Sequence, residues 1–161
     1  ETAFAQSELV LSIYAKSLRL MGPSGSGQLT KAVNQICIAG ILQGLSEGLH
    51  FAEQAGLDIE AVVDVISKGA AQSWQMDNRS GTMAAGKFDY GFAVNWMRKD
   101  LAIVLDTADK IQASVPLTAL VDQFYADLQR LGGGRWDTSS LIERLRLPDI
   151  KPGNPEKGQS N

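Results

Sequence analysis

The chain has 161 residues, of which 44% are hydrophobic, and it is therefore long enough for about one globular domain with a buried core. Its net charge of −3 leaves no concentrated basic face for a phosphate backbone, so we expect no nucleic-acid partner. Cys37 and His50 are the only residues of their types. They cannot form an internal disulfide or a Cys/His metal cluster, so we expect no metal site and a reducing, cytoplasmic location.

The first segment predicts a helix over 2–16 and then a strand over 17–21. Residues 1–7 are polar and carry no cationic region before an apolar stretch, so they do not resemble a signal peptide. The first residue is glutamate, in the middle of a helical pattern. We therefore expect the chain to be a fragment from which part of the functional apparatus is missing.

A glycine-rich segment follows over 22–27, where neither a helix nor a strand is well tolerated. Its G-x-x-G-x-G spacing is the reverse of the dinucleotide fingerprint, and Gln28 stands where a P-loop would carry lysine. We interpret the segment as a hinge and the start of a helix.

A long helix is predicted over 28–55. Its middle, residues 36–42, is apolar on all sides, which predicts a place inside a bundle or an oligomer and puts Cys37 in the core. Polar residues interrupt this run too early for a membrane span. Gly40, Gly44 and Gly48 lie on one face and predict the close approach of another helix.

The remaining segments are also helical in pattern, and capping residues mark several of their starts. In chain order they are a helix over 59–67 capped by Asp58, a broken helix over 70–86, a loop over 87–91, a helix over 95–112, a helix from Pro116 to Leu131, a short helix capped by Asp137 or Thr138 and running through Leu145, and a disordered tail over 148–161. The predicted fold is all-α, a helical bundle around one long central helix, preceded by the helix and strand at the start of the chain.

Lys31 is the strongest candidate for chemistry, because it lies near the start of the long helix. Backbone polarity and partial desolvation there would make an ammonium lose its proton more readily. Asn34 and Gln35 share its face and could hydrogen-bond a substrate. An ordinary surface lysine is the alternative. Trp74 could line a pocket or simply pack, and the triplet 98–100 has the pattern of a solvated helix face.

The stretch over 22–35 resembles the signature that opens the C-terminal domain of the 3-hydroxyisobutyrate dehydrogenase (β-hydroxyacid dehydrogenase) family. The similarity continues through 47–58, through Phe92 and 99–101, and ends near 134–141. Residues 1–21 resemble the last helix and strand of the preceding nucleotide-binding domain. The resemblance therefore divides the chain into a remnant of that domain over 1–22 and an all-helical substrate and dimerisation domain over 23–147.

The resemblance implies an enzyme that uses NAD or NADP to interconvert a small 3-hydroxy acid and its semialdehyde or keto acid. Lys31 would be the general acid/base, and Asn34 with Gln35 would hold the substrate, with Trp74 as a further lining residue. Lys99, with Asp100 beside it, would lie near the nicotinamide and its ribose. The helical domain would also form the contact of a homodimer or higher homo-oligomer, with no membrane partner.

The resemblance also implies what this chain lacks, namely the Rossmann glycine fingerprint and the glycine-serine substrate loop. We therefore expect that the 161-residue chain alone neither binds dinucleotide tightly nor turns over substrate. Two other functions stay open: a non-catalytic helical dimerisation module, and an enzyme similar to the 6-phosphogluconate dehydrogenases. The latter carry a histidine where Asn34 stands and need added cations for phosphate. Catalysis requires that Lys31, Asn34 and Lys99 converge on one cleft, which a dimerisation module does not require.

Overall fold

One long helix organises the computed structural model of this chain, which describes residues 2–146. The helices in chain order are α1 (Thr2–Tyr14), α2 (Ser26–Gln54), α3 (Ile59–Ile66), α4 (Trp74–Ala84), α5 (Val94–Ile111), α6 (Pro116–Arg130) and α7 (Leu141–Arg146), with 3-10 turns at Gly133–Arg135 and Thr138–Ser140. The all-α prediction is confirmed, and α2 contacts each helix from α3 to α7. The tail predicted over 148–161 lies outside the described residues.

The strand predicted over 17–21 is wrong, because these residues form no strand. A strand needs a neighbour to complete its ladder of hydrogen bonds, and residues 2–146 contain no second strand. The one β-type pairing within that range is an isolated bridge between Ala93 and Asp137. The helix predicted as broken over 70–86 is instead one continuous helix, α4, which follows a turn.

Helix starts follow the local chemistry that the sequence indicates. Gly25 precedes α2 with φ at 97°, a left-handed conformation that glycine adopts without steric cost, so the predicted helix start is confirmed two residues before Gln28. Asp58 caps α3 by accepting hydrogen bonds from the backbone N–H groups of Glu60 (2.9 Å) and Ala61 (3.2 Å). Asp137 caps the turn before α7 by accepting from the Ser139 N–H at 3.0 Å.

The core has two apolar clusters, and α2 contributes to both of them through residues spaced three and four apart. The first cluster joins α2 to α5, α6 and α7, and it consists of Ala39, Leu42, Val94, Met97, Leu101, Val121, Tyr125, Leu128 and Leu141. The second joins α2 to α4 and α7, and it consists of Leu45, Leu49, Met76, Met83, Phe88 and Ile142. Trp136 packs against both clusters and connects them.

The apolar middle of α2 is buried on only one side in this chain, and the prediction that Cys37 lies in the core is wrong. Ala39 and Leu42 are buried, but Ile41 is 41% exposed and Cys37 is exposed, since both lie off the buried stripe. Of the glycines on this helix, a Cβ at Gly40 would lie 3.3 Å from the Leu117 side chain, whereas Gly44 and Gly48 face open space. Within residues 2–146 no helix has the length and apolarity that a bilayer crossing requires.

An arginine clamp holds the end of α2 against α4 and α7. The Arg146 guanidinium donates to Glu53 Oε2 at 3.1 Å, to the Met83 carbonyl at 2.9 Å and to Glu143 Oε1 at 2.8 Å. The hydrogen bond from Arg146 lowers the pKa of Glu53, and it outweighs the burial that raises it. Three helix ends therefore depend on one charged cluster.

We expect Glu53→Gln to lower the free energy of unfolding by about 1–2 kcal/mol at pH 7, because the carboxylate that receives the guanidinium is lost. Since folding lowers the Glu53 pKa, this contribution is present above the ordinary value of 4.5 and disappears as the pH falls through the folded-state value. Urea unfolding at pH 7 and at a pH below the folded-state pKa of Glu53 measures this difference. Asp64→Asn is the control: it removes an exposed pair with Lys68 and should cost less than about 0.5 kcal/mol. An equal loss in the two variants would contradict the clamp.

Candidate functional site

A hydrogen-bonded chain of four side chains connects α2 to α5. Lys31 Nζ lies 3.1 Å from Asp100 Oδ1 and 3.0 Å from Oδ2. Gln35 Nε2 donates to Asp100 Oδ2 at 2.8 Å, and Asn34 Nδ2 donates to Gln35 Oε1 at 3.1 Å. Because Lys31 and Gln35 are one helical turn apart, a single carboxylate from the facing helix reaches both of them.

Asp100 is the centre of this chain and is nearly buried, with 6% of its side chain exposed. Burial alone would raise its pKa, but hydrogen bonds from Lys31 and Gln35 and the charges of Lys31 and Lys99 lower it overall. Lys99 Nζ lies 3.7 Å from Asp100 Oδ1. Asp100 therefore stays ionised below its ordinary titration range and holds two ammonium groups at the surface of the helix pair.

The prediction that residues 98–100 form a solvated face is wrong. Asp100 points inward, and Arg98 donates to both carboxylate oxygens of Asp122, at 3.0 Å in each case. Only Lys99 has a largely exposed side chain, at 57%. The helix directs Arg98 toward α6, Lys99 toward solvent and Asp100 toward α2, so the three charged residues have different surroundings.

Two clefts open on either side of Lys31. We call the first the Trp74 cleft; it has a volume of about 300 Å³ and is lined by Lys31, Asn34, Gln35, Trp74, Arg79 and Asp137, among others. We call the second the Lys99 cleft; it has a volume of about 250 Å³ and is lined by Gln28, Lys31, Ala32, Gln35, Lys99, Asp100 and Ile103. Lys31 and Gln35 line both clefts and form the junction between them.

The candidates therefore converge in two groups rather than on one surface. Lys31, Asn34, Gln35 and Trp74 share the Trp74 cleft, and Lys31, Gln35, Lys99 and Asp100 share the Lys99 cleft. Asn34 and Lys99 do not line a common cleft, so the convergence of Lys31, Asn34 and Lys99 on one cleft that catalysis was expected to require is not found. An amine at the junction can reach one ligand in each cleft, which is the arrangement that transfer between two bound molecules needs.

The structure places Lys31 in different surroundings from those predicted, which were the first helical turn and a partly desolvated site. Lys31 is the sixth residue of α2, beyond the first turn, where the effect of the helix dipole is concentrated. Its side chain is 51% exposed, so the expected desolvation is not found. The ion pair with Asp100, rather than burial, fixes the position of the amine.

Trp74 is the first residue of α4, and Ser73 caps this helix by accepting from the Met76 N–H at 3.0 Å. The indole is 59% exposed and lines the Trp74 cleft rather than the core. It also lies 5.0 Å from the Arg79 guanidinium, measured from ring centroid to Cζ. The prediction that an aromatic residue here could line a pocket is consistent with this placement.

Sequence reasoning missed Arg79, Gln75 and Asp137 as lining residues of the Trp74 cleft. Arg79 lies in the segment interpreted as a broken helix, so its side could not be assigned. A signal was present, because Ser73 followed by Asp77 in the first turn is typical of a helix start. Asp137 was identified only as a cap, and its reach to the loop before α5 depends on a contact between distant segments.

The Asp137 carboxylate fixes that loop. Its side chain is 2% exposed, and it accepts hydrogen bonds from Phe92 N at 3.0 Å, Ser139 N at 3.0 Å and Ser139 Oγ at 2.6 Å. Gly91 has φ at 74°, and a Cβ there would overlap the carboxylate. Only glycine lets the loop approach Asp137 closely enough to place Phe92 in the cleft.

No metal site accompanies these clefts in the described part of the chain, where no group of three or more His, Cys, Asp or Glu side chains could hold an ion. The charged groups at the junction are instead one carboxylate and two amines. Such a set suits hydrogen bonding and proton transfer with an organic ligand.

Comparison with known proteins finds relatives over most of the chain. Residues 25–145 match the family model described as NAD-binding of NADP-dependent 3-hydroxyisobutyrate dehydrogenase. An uncharacterized oxidoreductase of Shewanella frigidimarina is 62% identical over 136 residues, which are 84% of this chain and 47% of that protein. A probable 3-hydroxyisobutyrate dehydrogenase-like protein of Arabidopsis thaliana, described as mitochondrial, is 38% identical over 93% of this chain and 45% of its own length.

The fold has a solved counterpart as well. The Mycobacterium tuberculosis 3-hydroxyisobutyrate dehydrogenase, solved with L-serine, superposes with a TM-score of 0.82 at 25% identity. The match covers 91% of this chain and 53% of that one. The chain therefore spans about half the length of the curated relatives and the solved structure that it matches.

We expect Gly91→Ala to lower the free energy of unfolding by at least about 2 kcal/mol, because the left-handed backbone and the overlap with Asp137 both oppose a side chain. Gly81→Ala is the matched control, since its Cβ would enter open space at an exposed position of α4 and should stabilise by about 0.5–1 kcal/mol. Chemical denaturation of both variants measures the contrast. A Gly91→Ala protein as stable as the wild type would refute the proposed packing of the loop.

Proposed function

The chain belongs to the 3-hydroxyisobutyrate dehydrogenase family, and from that membership we propose that the protein carrying it is an NAD(P)-dependent 3-hydroxyacid dehydrogenase. It interconverts a small 3-hydroxy acid and its semialdehyde or keto acid, with Lys31 as general acid/base. The observation that carries the proposal is the position of Lys31 at the junction of the Trp74 and Lys99 clefts, fixed by Asp100. The solved relative bound to L-serine, itself a 3-hydroxy acid, supports the substrate class.

In this proposal Lys31 transfers the proton and Asp100 holds Lys31 in position. When bound, the nicotinamide supplies the hydride acceptor or donor for the hydroxyl-bearing carbon of the substrate. In the oxidative direction Lys31 acts as the neutral amine and its Nζ takes the hydroxyl proton, and in the reductive direction the resulting ammonium returns that proton to the carbonyl oxygen. An ammonium has three donors, and Asp100 orients the group while leaving a donor for the substrate oxygen.

Asn34, Gln35 and Trp74 form the substrate side of the proposal. Asn34 is exposed in the Trp74 cleft, and its amide nitrogen gives one N–H to Gln35, so its second N–H can donate to an oxygen of the substrate. Gln35 is buried and holds both Asn34 and Asp100, so it positions its neighbours. Trp74 supplies an apolar wall. A volume of about 300 Å³ suits a small acid.

The Lys99 cleft is the proposed cofactor side. Its donors, the Lys99 ammonium and the Gln28 amide, suit the hydroxyl and phosphate oxygens of a dinucleotide, and Lys31 lines the same cleft. Asp100 has its oxygens occupied by Lys31 and Gln35, so we assign it a positioning role toward this cleft. The cleft is too small for a whole dinucleotide. As the resemblance implies, the main binding surface lies in a separate nucleotide-binding domain, of which residues 1–22 resemble only the end. We therefore expect the isolated chain to be inactive.

We further propose a homodimer or higher homo-oligomer in the cytoplasm. The open groove beside Gly44 and Gly48 on α2 supports the homo-oligomer, and the single cysteine supports the cytoplasmic location. Although Asn34 and Lys99 line different clefts, catalysis is favoured over a non-catalytic dimerisation module because the chain belongs to a dehydrogenase family and Lys31 lines both clefts. A phosphorylated substrate ranks lower, because Asn34 stands where the 6-phosphogluconate dehydrogenases carry histidine.

We expect Lys31→Ala, in the complete gene product that carries this chain, to lower kcat by about 10²-fold or more while KM changes little, because the proton acceptor is removed. Lys68→Ala is the matched control, since Lys68 pairs with Asp64 on exposed α3 and should leave kcat unchanged. Steady-state kinetics with 3-hydroxyisobutyrate measures both variants. Full turnover in the Lys31→Ala protein, with an unaltered pH profile, would remove Lys31 from the mechanism.

Asp100→Asn tests the positioning role separately. The substitution keeps the shape of the side chain but removes the charge that favours the ammonium form of Lys31, so in the oxidation of 3-hydroxyisobutyrate we expect kcat to fall by about tenfold and the acidic side of the kcat pH profile to move to lower pH. Asp100→Glu should restore part of the activity. A variant that only loses stability, with an unchanged pH profile in the folded fraction, would show that Asp100 is merely structural.

A further inference from the structure

Arg79 is a charged residue of the Trp74 cleft that takes no part in the ion pair at Lys31 and caps no helix. It lies on α4, one turn after Gln75, and both residues line the cleft with Lys31 and Trp74. Its side chain is 21% exposed, so the guanidinium is largely removed from water but still reaches the cleft. A partly buried cation at a ligand-sized cleft needs a counter-charge.

Asp137 supplies that counter-charge only in part. Arg79 Nε lies 3.4 Å from Asp137 Oδ1, which is long for a charge-assisted hydrogen bond. The carboxylate already accepts three hydrogen bonds, from Phe92 N, Ser139 N and Ser139 Oγ. Asp137 is thus satisfied by the loop and the cap, and within residues 2–146 it accepts no hydrogen bond from the two terminal nitrogens of the guanidinium.

Those two nitrogens are nearly free of partners. Within residues 2–146, Nη1 donates to the Asn78 carbonyl at 3.3 Å, and Nη2 makes no hydrogen bond. The terminal edge of an arginine is the part that binds a carboxylate through two parallel hydrogen bonds. The edge is therefore available while the rest of the side chain is anchored.

Two aromatic rings fix the guanidinium in place. Its Cζ lies 5.0 Å from the ring centroid of Trp74 and 5.0 Å from that of Tyr90. Tyr90 is itself hydrogen-bonded through its hydroxyl to Thr82 Oγ1 on α4. A cation held by two rings and by Asp137 at its Nε is preorganised, so binding an anion at its terminal nitrogens requires little loss of side-chain entropy.

We propose that Arg79 is the specificity-determining residue that binds the carboxylate of the substrate in the Trp74 cleft, and so selects hydroxy acids over uncharged hydroxy compounds. This inference rests on the proposed function, because it assumes that the ligand of the cleft is the 3-hydroxy acid whose hydroxyl meets Lys31. It assigns recognition of the substrate's negative charge to Arg79, a residue distinct from the proton-transfer residue Lys31.

The test compares 3-hydroxyisobutyrate with its neutral amide, 3-hydroxyisobutyramide, as substrates of the complete gene product. In Arg79→Met we expect KM for the acid to rise by about tenfold or more with kcat little changed, whereas kcat/KM for the amide stays within about threefold. Arg79→Lys keeps the charge but not the fork, and should fall between the two. Arg130→Met removes an exposed arginine of α6 and should behave as the wild type.

Equal losses for acid and amide in Arg79→Met, or no loss for either, would overturn the assignment. If that variant does not fold, the wild-type protein decides through NMR of the Arg79 Nε–H signal. The signal should shift on addition of 3-hydroxyisobutyrate and not on addition of the amide, and an unmoved signal at saturating acid overturns the proposal. A protein that oxidises no 3-hydroxy acid would refute the proposed function itself, a result distinct from turnover without charge selection.

Discussion

The arrangement of the site depends on one buried carboxylate. Asp100 reaches from α5 to two residues of α2 that are one turn apart, and it holds an amine and an amide in fixed positions. Without it, Lys31 would be an ordinary exposed lysine on a long helix, because its side chain is half in solvent. The carboxylate stays ionised despite its burial because the ammonium groups of Lys31 and Lys99 and the amide of Gln35 surround it.

The packing of α2 explains why this site and the core do not compete. The buried stripe of α2 runs from Gln35 through Ala39 and Leu42 to Leu49, and the polar beginning of that stripe forms the site. Its apolar continuation forms both core clusters. The Arg146 clamp fixes the opposite end of the helix. One helix therefore carries the residue proposed for proton transfer in its first turns and core residues along the rest.

Much of the fold could be predicted from sequence, because capping residues and apolar periodicity are local. The start of α2, the caps Asp58 and Asp137 and the helical class needed no distant information. Failures arose where pairing across the fold decides the outcome. Residues 17–21 have strand character but no neighbour within the described range, and Cys37 sits in an apolar run yet off the buried stripe.

The site divides in the same way. Lys31, Asn34 and Gln35 could be grouped because three and four residues on a helix share a face. Asp100 as the group that holds them, and Arg79 as a cleft residue, could not be found from spacing, since both depend on how α4 and α5 pack against α2. The family signature identified the lysine; the fold identifies what positions it.

The most direct test of this account is a crystal structure of the complete gene product with NAD or NADP and a 3-hydroxy acid bound. We predict that Lys31 Nζ lies within about 3 Å of the hydroxyl oxygen while it keeps its contact with Asp100. A substrate hydroxyl beyond hydrogen-bond reach of Lys31, with the amine directed into solvent, would contradict the account.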